Sequence, residues 1–439
     1  MLCSTQVICA LVTDGCFMGF RWCFKQGCFG KRREPDIDSL HSEPGPLLPA
    51  GYPPDPGPSC SSSERRHLRN WLKISEDCDF DEAYAADNVR FRNRMALRGV
   101  PASMRWRVWR AVAGCSEIFK PGLYEEVRLA VTLNVRWSFE RRPDDNDHFD
   151  VISASGRSLK SGDVTVDSSE RERIEEIVSL VKQDLGRTFP FSQFYSDDKN
   201  LARLGNVLVS YAALNKEVGY CQGMNFLAGL LLQQSDSERE TFWMLTLVMT
   251  RYNLQSLYSE DIPLLHLLKY QFSALLNQLF PEISAHFDRL YVLPELYAVK
   301  WFFSLFAYSF PENLVFPLWD FIFAGCPPHQ RHTGVSRAIL LLALGLLKIS
   351  RSKLLKCSCL QSVLDELEAV RSVPSVEPLL AAARSLDLKV HQASLEGLRG
   401  HWAELYPQAN EQICRGEMVA LLMPAAVLEW EGIRREHLE

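Results

Sequence analysis

Ile174, Ile177, Val178, Val181 and Leu185 recur at the i, i+3, i+4 spacing of one buried helical stripe. Pro190 cannot continue a helix and restricts Phe189, so this helix is expected to stop near Arg187. At the helical period Arg187 falls roughly 140° from the centre of the stripe and points away from the core. A second stripe, Leu201, Leu204, Val207, Leu208, Tyr211 and Leu214, ends at Asn215. Gly219 and Gly223 then bracket a short turn, and Met224, Leu227, Ala228 and Leu231 open a third stripe. Gln222 therefore sits just ahead of a helix N-terminus, where backbone N–H groups are free.

The same period continues through most of the chain. Leu68, Trp71, Leu72 and Ile74 predict a short helix, and another runs from about Asp81 to Arg98. Gly99 permits a turn there, Pro101 suits the first position of the next helix and Ser103 is a candidate cap. Later helices are expected from Arg239 to Met249, from Leu264 to Leu279 (ended by Pro281) and from Tyr297 to Phe310 with Trp301, Phe302, Leu305 and Phe306 inward. The apolar run Ala338–Leu347 belongs to a buried helix over 338–355, and 360–386 and 411–435 also read as helical. No alternation is long enough to build a sheet and no repeat is present, so the fold class is all-α.

Breaks in the pattern divide the chain. Residues 1–33 form an apolar leader with Cys3, Cys9, Cys16, Cys23 and Cys28, closed by Lys31-Arg32-Arg33; 34–66 is a Pro/Gly/Ser-rich linker, with order expected from about His67. A helical lead-in over 67–94 precedes a main domain at 95–350, interrupted by a polar surface loop at about 140–168, and 351–439 is a C-terminal helical extension. The five leader cysteines beside a basic cluster form a candidate S-acylation site, which would give peripheral membrane association; the alternatives are a poorly ordered leader or a mis-assigned start.

Composition narrows the classes. With 47% hydrophobic and 23% charged residues the chain reads as an ordinary soluble globular protein. A net charge of −6 and a pI near 6.0 argue against nucleic acid as a partner. No apolar run reaches the ~18 residues of a membrane span. Thirteen cysteines without a paired CxxC array argue for no metal site and for a reducing, cytoplasmic setting. The acidic run Asp144, Asp145, Asp147, His148 and Asp150 fails the spacing of a calcium loop and reads as an exposed loop.

Taken singly, Arg187 reads as a solvated arginine pairing with Asp184 and Gln222 as a locally bonded helix-entry residue. Together, D-x-x-R-T-F-P from Asp184 and V-G-Y-x-Q-G-M-N from Val218 resemble the signature of the TBC-domain family, the GTPase-activating proteins of Rab GTPases. Arg98-Gly-Val-Pro101 followed by Arg105-Trp-Arg-Val-Trp109 resembles that family's first motif. Trp301-Phe302 and Trp319-Asp320 match its later landmarks, read as packing residues, as are Trp106 and Trp109. The resemblance covers roughly 95–350; it departs at Lys216, where proline is usual, and in the long 140–168 loop.

The resemblance implies a multi-helix domain of two helical subdomains forming a V-shaped groove. It implies that Arg187 is an arginine finger and that Gln222 orients the attacking water in place of the GTPase's own glutamine. Asp184 would hold Arg187, and Thr188, Tyr220, Gly223 and Asn225 would support the two loops. The chain would need no cofactor of its own, acting on GTP and Mg²⁺ held by a GTP-bound Rab, with a cytoplasmic, endomembrane-peripheral location. One alternative is a catalytically silent TBC scaffold that binds a Rab or another partner. Another is an enzyme with its own active site, but G-x-S-x-G, H-E-x-x-H and phosphate-loop motifs are all missing, which also excludes a self-contained GTPase.

Overall fold

The computed structural model describes residues 62–77, 80, 88–114, 122–135, 151–152, 158–159, 168–235, 237–326, 331–369, 373–387 and 389–428. The leader with Cys3, Cys9, Cys16, Cys23 and Cys28, and the acidic run at 144–150, lie outside these residues.

Among the described residues the fold is all-α, apart from one two-residue antiparallel pairing, β1 (Val151–Ile152) with β2 (Ser158–Leu159), inside the expected loop. The first helices are α1 (Ser62–Asp77), α2 (Val89–Arg98), α3 (Ala102–Ala113) and α4 (Leu123–Val135). After the loop come α5 (Ser168–Leu185), α6 (Asp198–Leu214), α7 (Met224–Ser235) and α8 (Glu238–Arg251). The short α9 (Gln255–Tyr258) leads to α10 (Pro263–Leu279), α11 (Pro281–Arg289), α12 (Val299–Phe303) and α13 (Glu312–Ala324). The chain closes with α14 (Arg331–Leu354), α15 (Leu360–Glu368), α16 (Glu377–Asp387), α17 (Gln392–Leu405) and α18 (Pro407–Leu428).

Two groups of helices share the core. In the first, α6 packs on α4, α5, α7 and α8; in the second, α10 packs on α11, α12, α14 and α17, and α14 on α16. Helix α13 joins the second group to α2 and α3, while α18 lies across α8, α9, α10 and α17. Every residue from Ala338 to Leu347 is buried, as its composition requires.

Several elements differ from the sequence-based expectation. Helix α1 begins at Ser62, inside the segment expected to be linker; Trp71 is fully buried against Phe80 and Phe91 and its indole donates to the Gly99 carbonyl at 3.2 Å, which docks the whole helix. Pro101 occupies the N-cap of α3 rather than its first turn, and Ser103 is exposed with no capping bond. The expected helix over 297–310 breaks after Phe303, because Leu305 and Phe306 adopt φ of +46° and +67°. That backbone costs about 1–2 kcal/mol per residue. Burying a leucine and a phenylalanine returns about 1.5–3 kcal/mol each, and the Leu305 carbonyl gains a bond from the Trp319 indole at 3.0 Å. The 360–386 region is two helices, α15 and α16, with Pro374 between them.

Asp320 is more than a packing residue. Its carboxylate is fully buried and accepts from the Val100 N–H at 2.8 Å, the Trp109 indole at 2.8 Å and Arg105 Nε at 3.2 Å. Arg105 also donates to the Val100 carbonyl at 2.7 Å. Gly99, at φ +66°, lets the turn close over this carboxylate, since a Cβ there would lie 3.3 Å from Asp320 Oδ2. Burial pushes the Asp320 carboxyl above its ordinary value, against the pull of Arg105 and of the Val100 and Trp109 donors. Trp109 is likewise buried, whereas Trp106 is only partly so and its indole donates to Glu240.

Removing one partner of such a pair leaves an uncompensated buried charge. Asp320→Ala is expected to cost about 3–5 kcal/mol in urea unfolding; a loss below about 1 kcal/mol would contradict this role.

Candidate functional site

The arginine loop grows out of the end of α5. After Leu185 the Arg187 N–H bonds to the Asp184 carbonyl at 3.1 Å and the Thr188 N–H to the Leu185 carbonyl at 3.1 Å, a tightening that ends the helix ahead of Pro190. Phe189 takes φ +46° and is buried against Tyr195 and Phe226. It fits there because α7 carries Gly229: a Cβ at that position would stand 2.9 Å from the Phe189 ring. The far end of the loop is held by Ser192, which is buried and donates to Glu312 Oε2 at 2.9 Å, the first residue of α13. Burial raises the Glu312 carboxyl, opposed by hydrogen bonds from Ser192 and Gln233.

The glutamine loop grows out of the end of α6. Asn215 stops the helix by donating its N–H to the Tyr211 carbonyl at 2.9 Å and accepting from the Val218 N–H at 3.2 Å. Gly219 and Gly223 take φ of +61° and +109°, which side chains resist. Gly223 also sits close to the broken segment, where a Cβ would lie 3.5 Å from the Phe303 carbonyl and 3.6 Å from the Tyr258 ring. Lys216, at the position where proline is usual, pairs with Glu170 at 3.0 Å; the hydrogen bond from Arg173, joined by that from Lys216, lowers the Glu170 carboxyl against the effect of burial.

A chain of hydrogen bonds joins the two loops. Asp184 is buried; one carboxylate oxygen takes the Arg187 guanidinium and the other accepts from the Tyr220 hydroxyl at 2.6 Å. The Thr188 hydroxyl donates to the Asp184 carbonyl at 2.7 Å and accepts from Asn225 Nδ2 at 2.7 Å. Asn225 Oδ1 in turn accepts from the Gly223 N–H at 3.0 Å. All five residues expected to support the fingers, Asp184, Thr188, Tyr220, Gly223 and Asn225, are thus in one network. Burial, together with the Asp184 charge, holds the Tyr220 hydroxyl well above its usual range, so Tyr220 serves as a donor.

Arg187 and Gln222 differ in how they are held. Arg187 is half-buried with its side chain 40% exposed, and Asp184 takes one terminal nitrogen of the guanidinium fork. Gln222 is half-exposed and its side-chain amide makes no hydrogen bond among the described residues, so the expected local bond does not form. A cavity of about 40 Å³ lined by Gln271, Ser336, Arg399 and Glu417 lies between α10, α14, α17 and α18, away from both loops. No group of three or more His, Cys, Asp or Glu among the described residues is placed to hold a metal ion.

The all-α domain thus presents an arginine and an uncommitted amide on two adjoining, hydrogen-bonded loops. The chain belongs to the Rab-GTPase-TBC domain family, which it matches over residues 102–355, more than half its length. It is 32% identical to TBC1 domain family member 4 of Mus musculus over 208 residues, 46% of this chain and 15% of that protein. It is 39% identical to human TBC1 domain family member 1 over 142 residues, 32% of this chain and 12% of that one. With the GTPase-activating protein GYP5 of Saccharomyces cerevisiae the figures are 32% over 172 residues, 39% and 18%. The chain therefore spans under a fifth of these relatives' length. A crystal structure of the Chlamydomonas flagellar RabGAP TBC domain superposes with a TM-score of 0.55 at 19% identity, covering 74% of this chain and 93% of that one. The Ypt/Rab-GAP domain of Gyp1p gives 0.51 at 15% identity, covering 74% and 98%.

The sequence reading did not find Phe189, Gly229, Ser192 or Glu312 as positioning residues. Glu312 lies far from the loop in sequence and carries no local signal; Gly229 inside an apolar helical run was the one available cue.

The Thr188 hydroxyl is the hinge between the two loops. Thr188→Val leaves buried Asn225 Nδ2 without its acceptor and is expected to cost about 1–3 kcal/mol by chemical denaturation, with Thr188→Ser near wild type. Equal stability of Thr188→Val and wild type would remove Thr188 from the network.

Proposed function

We propose that this chain is a GTPase-activating protein for a Rab-family small GTPase in its GTP-bound state. The observation that carries the reading is the bonded network that mounts Arg187 and Gln222 on adjoining loops. Hydrolysis of GTP requires neutralising charge on the transferring phosphoryl group and holding a water in line with it. With Asp184 taking one corner of the guanidinium, the remaining N–H donors of Arg187 are free to meet phosphate oxygens, and the charge is permanent. The free amide of Gln222 offers an acceptor for a water proton and a donor for a second contact. The buried anchors Asp184, Thr188 and Phe189 supply the rigidity that long side chains need to act at a distance.

In this reading the chain holds no nucleotide or cofactor of its own; GTP and Mg²⁺ belong to the partner. Its place of action is the cytoplasmic side of endomembranes where that partner resides, as a peripheral protein. Among the described residues no helix is long and apolar enough to cross a membrane.

The test is single-turnover hydrolysis across a panel of GTP-loaded Rabs. At least one member is accelerated; Arg187→Ala removes a factor of about 10³ or more, Gln222→Ala removes most of the acceleration, and Arg187→Lys does not restore it. Binding of GTP-loaded Rab without acceleration would assign a scaffold role instead, and neither binding nor acceleration across the panel would refute the reading.

A further inference from the structure

Phe191 is 91% exposed, the most exposed of the large apolar side chains among the described residues. A single apolar side chain on a surface is ordinary; the setting of this one is not. It occupies the third position of a turn closed by the Ser192 N–H on the Phe189 carbonyl at 2.9 Å, with Pro190 at the second position, where its fixed φ suits the turn. Both ends of the turn are buried and tied down: Phe189 by Gly229, Tyr195 and Phe226, and Ser192 by Glu312. The turn is thus anchored at both ends, and the exposed ring stands at its tip.

That tip follows Arg187 by four residues, a span of at most about 14 Å even when fully extended. A standard protein interface covers about 800 Å² on each partner, a disc of about 16 Å radius. Phe191 therefore lies within reach of the footprint of a protein that receives Arg187 near the centre of its interface. Rigid aromatic side chains that lose little entropy on binding are the residues that concentrate interface energy when a pocket takes them.

We propose that Phe191 is the apolar anchor by which this chain grips the GTPase partner, entering a hydrophobic depression beside the nucleotide site, and that it sets affinity while Arg187 and Gln222 set the chemical rate. The proposal rests on the GTPase-activating reading. It divides the loop by role: Arg187 and Gln222 reach the reacting groups, and Phe191 holds the two proteins in register.

Steady-state acceleration of a responsive Rab by the full chain tests this. Phe191→Ala is expected to raise KM by about 30-fold with kcat within about twofold of wild type, and Phe191→Leu to recover part of the affinity. The thermal midpoint stays at the wild-type value, because the ring is exposed. Unchanged KM in Phe191→Ala, or a fall confined to kcat, would overturn the anchor while leaving the activator reading intact. If wild type accelerates no Rab, the activator reading fails first and the anchor falls with it.

Discussion

One buried carboxylate holds the two halves of the site to each other. Asp184 sits at the last turn of α5 with its side chain enclosed, and such a charge is tolerated only when its lone pairs are occupied. The Arg187 guanidinium takes one oxygen and the Tyr220 hydroxyl the other. Satisfying that single group therefore fixes where the arginine loop and the glutamine loop meet. The second strand of the connection, Thr188 to Asn225 to Gly223, runs parallel to it and leaves Gln222 between two anchored neighbours with its own amide uncommitted. Gln222 is thus held at its base and free at its tip, whereas Arg187 keeps one terminal nitrogen on Asp184 and leaves the others uncommitted.

The frame around this connection uses the same device on a larger scale. Asp320, fully buried on α13, collects Arg105, Trp109 and the Val100 N–H, and so ties the turn before α3 to the helix that opens with Glu312. Glu312 reaches Ser192 at the far end of the arginine loop. The R-G-V-P turn, the W-D landmark and the finger loop are thus successive links of one mechanical path.

Much of this was legible in the sequence because helical stripes are local. The ends of α5 and α6, the glycine turn and the start of α7 all follow from residue spacing, and they suffice to place Arg187 and Gln222 at helix termini. The features missed at Leu305–Phe306, Asp320 and Gly229 share a cause: each was decided by a partner elsewhere in the chain. Leu305 and Phe306 match a helical stripe, yet burial and the Trp319 indole hold them in left-handed backbone. Asp320 reads as one more packing landmark until Arg105 and Trp109 are seen around it. Gly229 passes unmarked inside an apolar helical run until the Phe189 ring is found where its side chain would have been.

The central claim is that Arg187 and Gln222 complete a reaction centre on another protein, and it can be tested apart from turnover. Aluminium fluoride bound beside GDP mimics the transferring phosphoryl group, so an activator that contributes groups to the reacting state binds its GTPase more tightly when fluoride is present. Size-exclusion chromatography of this chain with a responsive GDP-loaded Rab should give a stable complex with aluminium fluoride and none without it. Arg187→Ala should abolish the fluoride-dependent complex. A complex that forms equally well without fluoride, or that survives Arg187→Ala unchanged, would contradict the account.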